Sequence, residues 1–490
     1  MRADKRRFSK AVSFALILGQ LALLASCGGA DMRSTAPSSD TAGSDNAGDT
    51  IAYTDEQREF FDAIPAEKLG GDFRVAVTAA GQFVPEAENG DIINDAIYQR
   101  NLAVETLYDV DIKEVVTDLK TAKASILAGD DAYDIVRANL YRDAADMATG
   151  DYLADINAID SLNLDALWWD QNLLDTTTIA GKQFFLAGDI DYTLYGRTIC
   201  LFFNKAKMAD VTDDNIYQLV SDGKWTYSVF DKLQRNATQD LNGDAKMDDQ
   251  DSYGLICSAV HAHVLYAASG ERIAAPDGDG FKLIMNNNRG VDVITKMFDI
   301  TLGAKDYIYN TDTVPQDGIW DRVLVMFRGE QALFQSTVLY NAINQRSMES
   351  DFGILPYPKF DEAQEKYYST SYNANAVFTI PKTVTDTERV GKVMNALAFE
   401  GRFTVKPAFY DEALGTKFIR DDESKEMLDI IFDNIIYDVG FMYNLNGLGD
   451  LLRNMHKAGN VNFASEYAGK ATAAQTALDD LIETVEEMKG

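Results

Sequence analysis

Phe73-Arg74-Val75-Ala76-Val77, the run Val110 to Val116, and Tyr133-Asp134-Ile135-Val136 are three short apolar stretches separated by helix-length segments. Each has the length and β-branched content of a strand. Between the first two, the segment from about Ile92 to Tyr108 reads as a helix, and Leu119 to Leu127 reads as another before the third. A β-α-β-α-β alternation of this spacing predicts a parallel, doubly wound lobe, because a crossover helix is the usual way to return to the same sheet edge. In such sheets ligands lie beyond the carboxyl ends of the strands. That directs attention to the loops after Val77 and after Val136, the latter carrying Asn139 and Tyr141.

Upstream, Arg2, Lys5, Arg6, Arg7 and Lys10 precede an apolar run from Ala11 to Ala25 that ends in Leu24-Ala25-Ser26-Cys27. The run is shorter than the ~20 residues of a spanning helix. It reads as a secretion signal over residues 1–26 with Cys27 as the lipidated first residue of the mature chain. Residues 28–50 are rich in Gly, Ser, Thr, Asp and Ala and read as a tether with a reach of roughly 25–30 Å. The folded body is expected from about Lys68.

Taking the five basic residues and Asp4 of the signal away from 45 Lys and Arg and 77 Asp and Glu leaves 40 against 76. A net charge of that sign excludes nucleic acid as a partner and leaves the lipid as the sole membrane contact. The ~460 remaining residues and 46% hydrophobic content indicate a folded chain of two lobes. After Cys27 only Cys200 and Cys257 remain; both sit among apolar neighbours and read as buried thiols, with a mutual disulfide as the alternative. His261-x-His263 places two imidazoles on one face if that segment is a strand, without clear companions for a metal. Helices are expected over Tyr227 to Thr238, Val291 to Leu302 and Ala471 to Met488, and Trp168, Trp169 and Trp225 are read as packing residues.

Asp240-Leu241-Asn242-Gly243-Asp244-Ala245-Lys246-Met247-Asp248-Asp249-Gln250-Asp251 has the spacing of an EF-hand-like loop. Side-chain oxygens fall at positions 1, 3, 5, 9 and 12 (Asp240, Asn242, Asp244, Asp248, Asp251), with the Lys246 carbonyl at 7 and apolar Met247 at 8. Position 12 is Asp in place of Glu, and position 6 is Ala245 where Gly usually turns the chain. Structural calcium in the weak extracellular range is the expectation, since five acidic side chains within twelve residues repel one another until a cation joins them.

Several further segments, in this order, carry a resemblance: Asn94-Asp95-Ala96-Ile97-Tyr98-Gln99-Arg100-Asn101, Trp168-Trp169-Asp170, Leu201-Phe202-Phe203-Asn204-Lys205, Lys224-Trp225-Thr226, Asp251-Ser252-Tyr253-Gly254-Leu255, Phe327-Arg328-Gly329-Glu330-Gln331-Ala332 and Gly353-Ile354-Leu355-Pro356-Tyr357-Pro358. Over most of residues 68–460 the chain resembles the family 1 extracellular solute-binding proteins of carbohydrate ABC importers. The resemblance implies an α/β, helix-rich, two-lobed periplasmic-binding-protein-like fold of type II with an inter-lobe ligand cleft. The N-terminal lobe would take residues 68–190 and 376–415, and the C-terminal lobe 196–370 and 424–490, after a lead-in of residues 27–67. Crossings are expected near 189–197, 370–378 and 412–424.

Flat apolar faces and planar amides or carboxylates are what a pyranose requires. By family pattern the stacking residues would be Tyr195, Trp320, Tyr372 and Tyr443, and the hydrogen-bonding residues Asn139, Asp191, Asn373 and Asn375, with Tyr141 beside them. The implied protein is a monomeric, non-enzymatic capture lipoprotein on the extracytoplasmic face of the cell membrane, handing an oligosaccharide to ABC permease transmembrane subunits. A secreted glycoside hydrolase and a calcium-dependent surface adhesin or sensor component are the alternatives.

Overall fold

The structure is a computed structural model and describes residues 54–60, 63–303, 305–345, 347–371, 375–414 and 422–488. The expected signal, Cys27 and tether lie outside the described residues, as do Tyr372 and Asn373.

In the first lobe, strands β1 (Asp72–Val77), β2 (Asp111–Val116) and β3 (Ile135–Asn139) run parallel, and β11 (Ala376–Thr379) joins β3 antiparallel, giving the order β11-β3-β1-β2. The two connecting helices, Ile92–Tyr108 and Leu119–Ala128, start where Asp91 and Asp118 accept the backbone N–H groups of Asn94 and Thr121, each at 2.9 Å. An aspartate at this position satisfies a donor that the first helical turn leaves open. Phe73, Val75, Val104, Ile112, Ile135, Phe378 and Phe399 are buried between this sheet and helix Thr387–Phe403.

The folded body begins earlier than Lys68. Ile64 is buried, Phe60 meets the edge of Trp168 at 6.1 Å, and the Ala63 carbonyl accepts from Asn395 Nδ2 at 2.6 Å. Strand β3 also starts two residues late and runs on to Asn139. Just before it, the Asp134 backbone N–H donates to Arg74 O at 2.9 Å, while the Asp134 carboxylate accepts both the backbone N–H and the Nε–H of Arg74, at 2.6 and 3.0 Å.

The second lobe is built on five strands, β4 (Ile199–Asn204), β5 (Tyr253–Cys257), β8 (Ile308–Asn310), β9 (Ala332–Val338) and β10 (Phe352–Leu355), in the order β10-β4-β9-β5-β8. A hairpin of β6 (Ala274–Asp277) and β7 (Gly280–Leu283) lies apart from it. Every residue of β4 and of β5 is buried, which is why both read as unbroken apolar runs: the sheet is covered on both faces. Cys200 and Cys257 are buried free thiols, and Trp168, Trp169 and Trp225 are buried packing residues.

Among the described residues two antiparallel segments lying side by side join the lobes, and the third expected crossing, near 412–424, lies in part outside the described residues. Leu186 and Phe378 exchange backbone hydrogen bonds of 3.0 and 2.8 Å, Thr198 pairs with Ser371, and Ile199 N–H donates to Thr370 O at 3.0 Å. Beyond helix Thr387–Phe403, the helix Val405–Leu414 packs on helix Ile92–Tyr108 of the first lobe and on Asn341–Asn344 of the second. The last helix is longer than its apolar spacing indicates, Phe463–Glu487, and it also touches the first lobe, where Lys182 Nζ reaches Val485 O at 2.8 Å.

Helix Thr387–Phe403 meets the first crossing at Gly401, where a Cβ would stand 2.0 Å from the Asp189 carbonyl oxygen. Gly401→Ala is therefore expected to destabilise the fold by about 1–3 kcal/mol, read by denaturant unfolding. An unchanged midpoint would mean that the crossing moves freely against the helix.

Candidate ligand cleft

Strand β1 ends at Val77 and β3 at Asn139, and a cavity of about 580 Å³ opens at these carboxyl ends. Its walls come from the loop after β1 (Thr78, Gln82), the start of helix Ile92–Tyr108 (Asn94), the end of β3 (Arg137, Asn139), the first crossing (Tyr192, Arg197) and the second lobe (Tyr340, Ile343). Both lobes and a crossing thus face one space, the position that a doubly wound sheet reserves for ligands.

Arg137 leaves β3 toward the first crossing and pairs with Asp191, Nε to Oδ2 at 2.7 Å, with 14% and 6% of the two side chains exposed. Burial works against the guanidinium charge, the Asp191 carboxylate more than offsets it, and the pKa of Arg137 is raised. Asn139 lines the cavity and accepts the Tyr141 N–H at 3.1 Å, starting the tight turn Leu140–Ala144. The Tyr192 ring stacks on Phe409 at 5.7 Å, and the Arg197 guanidinium lies 5.8 Å from the Tyr340 ring centroid.

Among the expected ligand residues, Asn139 faces the cavity and Asp191 stands behind it, held by Arg137. Tyr141 lies beside it with its hydroxyl 3.4 Å from Ser371 Oγ and its ring edge-on to Phe441 at 5.0 Å. Asn375 is fully buried; its Nδ2 donates to Ser371 Oγ at 3.2 Å, and among the described residues neither its Oδ1 nor the hydroxyl of the half-buried Tyr443 has a partner. Tyr195 is turned inward: its hydroxyl donates to Asp189 and its ring packs on Phe409 and Phe432. Trp320 is 68% exposed on helix Ile319–Arg328 and does not line the cavity. Arg137, Tyr192, Arg197 and Tyr340 also line the cavity and are not among the expected ligand residues. A signal was present, since Tyr192 and Arg197 fall inside the expected first crossing.

The acidic loop adopts the turns its spacing calls for. Ala245 sits in the left-handed region at φ 64°, as does Gly243 at 75°, and a non-glycine residue there costs on the order of 1 kcal/mol. Asp240 accepts from the backbone N–H groups of Gly243 and Ala245, and Asp251 closes the loop by accepting from Leu241 and Asp248, both at 2.9 Å. Met247 packs on the core beneath. Among the described residues no group of three or more His, Cys, Asp or Glu side chains is drawn together as metal ligands.

No protein-family model matches the chain, and no curated protein is significantly similar to it. Solved structures do match in fold. A sugar transporter of Rhizobium etli in an open conformation has a TM-score of 0.56 at 12% identity, over 85% of this chain and 100% of its own. A cyclo/maltodextrin-binding protein complexed with maltotetraose scores 0.53 at 14%, over 85% and 96%. UgpB from Mycobacterium tuberculosis, in complex with glycerophosphocholine, scores 0.54 at 15%, over 84% and 100%. The chain has the two-lobed periplasmic-binding-protein fold.

In this binding-protein fold the two lobes also touch away from the cavity. Asp170, which caps helix Gln171–Thr177, accepts the Tyr437 hydroxyl of the second lobe, and its burial pushes the carboxyl up to about 6. His261 and His263 lie on a helix, Val260–Ala268, rather than on a strand, so they diverge. His261 Nδ1 is 2.9 Å from the Tyr357 hydroxyl, and His263 lies flat on Phe441 with centroids 3.7 Å apart. Burial lowers both to about 3 and His456 to about 4.

These lowered values mean that the unfolded chain takes up protons first as pH falls below its ~6.5, so each histidine's contribution is intact above that pH and lost toward 3–4. Asp170 has the opposite sign, but at pH 5 it offsets only about 1 kcal/mol against about 2 kcal/mol for each histidine. His263→Phe, which keeps the stack on Phe441, should gain about 2 kcal/mol over wild type between pH 7 and pH 5 in denaturant titrations. A wild-type difference that stays constant with pH would contradict a neutral, buried His263.

Proposed function

We propose that this protein is the substrate-binding lipoprotein of an ABC importer, which captures a carbohydrate outside the membrane and delivers it to permease transmembrane subunits without catalysing a reaction. The observation that carries this reading is the cavity at the carboxyl ends of β1 and β3, walled by both lobes and the first crossing, in a fold that a maltotetraose-bound maltodextrin-binding protein shares. A solute held there touches both lobes, so its binding energy favours their approach, and the closed form is what a permease can distinguish. Asn139, Asn94 and Gln82 supply planar amides and Tyr192 and Tyr340 supply ring faces. Attachment is assigned to lipidated Cys27. Among the described residues no helix is long and apolar enough to cross a membrane.

The test is a thermal-shift screen of the full chain with maltotriose, maltotetraose and other glycan classes. At a thousand times its Kd, a true ligand contributes about 4 kcal/mol, a rise of several degrees, and chromatography should recover it unchanged. Release of a shorter glycan would point to a hydrolase, and no stabilisation by any glycan would remove the carbohydrate reading.

The loop Asp240 to Asp251 is assigned to calcium, held by side-chain oxygens of Asp240, Asn242, Asp244, Asp248 and Asp251 with the Lys246 carbonyl. Bound calcium would screen the five carboxylates and hold Ala245 in its left-handed turn, a structural role. Chelation is expected to lower the melting temperature, and Asp240→Ala should abolish that response. A melting curve indifferent to calcium would remove the site.

A further inference from the structure

The cleft cavity has one corner where positive charge is left over. Arg137, Tyr192, Arg197 and Tyr340 line it together, with Asp191 behind them on Arg137. Arg137 is engaged, with Nε on Asp191 at 2.7 Å and its second guanidinium nitrogen on Thr193 Oγ1 at 3.4 Å. Arg197 is not. It lies over the Tyr340 ring, and among the described residues no carboxylate or other acceptor takes its guanidinium N–H groups. The hydroxyls of Tyr192 and Tyr340 likewise have no protein partner among the described residues.

In a chain with 77 Asp and Glu against 45 Lys and Arg, carboxylates to neutralise a cation are plentiful. A half-buried guanidinium that meets none, with five donors in a planar fork, is suited to a carboxylate, phosphate or sulfate oxygen pair. The acids of the cavity are placed elsewhere. Asp91 is exposed and caps helix Ile92–Tyr108, and Asp143 lies in the turn after β3; both belong to the first lobe and suit hydroxyl groups.

We propose that the cleft selects a saccharide carrying an anionic substituent, which Arg197 grips between the Tyr192 and Tyr340 hydroxyls at the first crossing. This rests on the carbohydrate-capture reading above and narrows its cargo to acidic sugars.

Isothermal titration of the full chain with maltotriose, trigalacturonate, glucose 6-phosphate and glucose 6-sulfate tests it. At least one anionic probe should bind tenfold or more tighter than maltotriose, and which one does so identifies the substituent as carboxylate, phosphate or sulfate. Arg197→Gln should weaken that probe at least tenfold while leaving the unliganded melting temperature unchanged, and Arg197→Lys should recover part of the loss. Maltotriose binding as tightly as the anionic probes, or Arg197→Gln leaving their affinity intact, would overturn acidic selection while carbohydrate capture stands. Failure of all four probes, and of neutral glycans in the thermal screen, would overturn both.

Discussion

The two lobes are positioned by main-chain hydrogen bonding between the first and second crossings. Leu186 with Phe378, and Thr198 with Ser371, pair two antiparallel segments at points twelve and seven residues apart along each, so neither crossing can slide without breaking the other's ladder. That constraint fixes where β4 enters the second sheet and where β11 joins β3 in the first. It also sets the cleft, because the chain between the two pairings on one side, Ala187 to Arg197, carries Tyr192 and Arg197 to the mouth of β1 and β3, with Asp191 behind them on Arg137. The Arg137–Asp191 pair then ties the strand end of the first lobe to the crossing with little water access. Removing one partner of such a buried pair is far more damaging than removing both, since it strands a charge.

The corner of the cleft at Arg197 runs against the chain's overall charge. The protein is strongly acidic, yet the cavity corner at the crossing combines two arginines with one carboxylate and two phenols. Long-range repulsion of an anion by the body is screened within about 8–10 Å at physiological salt, whereas a guanidinium in direct contact acts through short, charge-assisted hydrogen bonds. Local geometry therefore decides what can bind, and net charge governs only how fast an anionic solute arrives.

Much of the fold was legible because one face of each element is buried and the pattern shows it. The helix Ile92–Tyr108 spans the segment expected from about Ile92 to Tyr108, and Asp91 caps its start. Where burial is complete, period disappears: Val260–Ala268 is buried from His261 to Ala268, and its alternation of Val, His and Ala imitates a strand. The reverse failure occurs at Phe463 to Lys470, where few residues of the last helix are buried and no stripe announces it. Phe60 was unreadable as core because its partner, Trp168, is more than a hundred residues away.

The cavity lies where the sequence directs attention, but most of its lining was not legible. The loops after β1 and β3 and the first crossing were all identified, and Asn139 with them. Tyr195 was sought as the platform, yet the single helical turn Thr193–Gly196 rotates it onto Asp189 and leaves Tyr192 at the cavity. Nothing in a sequence specifies the phase of one four-residue turn. The most direct test of the central claim is a crystal structure of the protein with a saccharide that stabilises it. Sugar density should lie between Asn139 and Tyr340, with the Arg137–Asp191 pair intact behind it; density on an outer face such as that of Trp320, with the cavity filled by solvent alone, would contradict the inter-lobe cleft as the binding site.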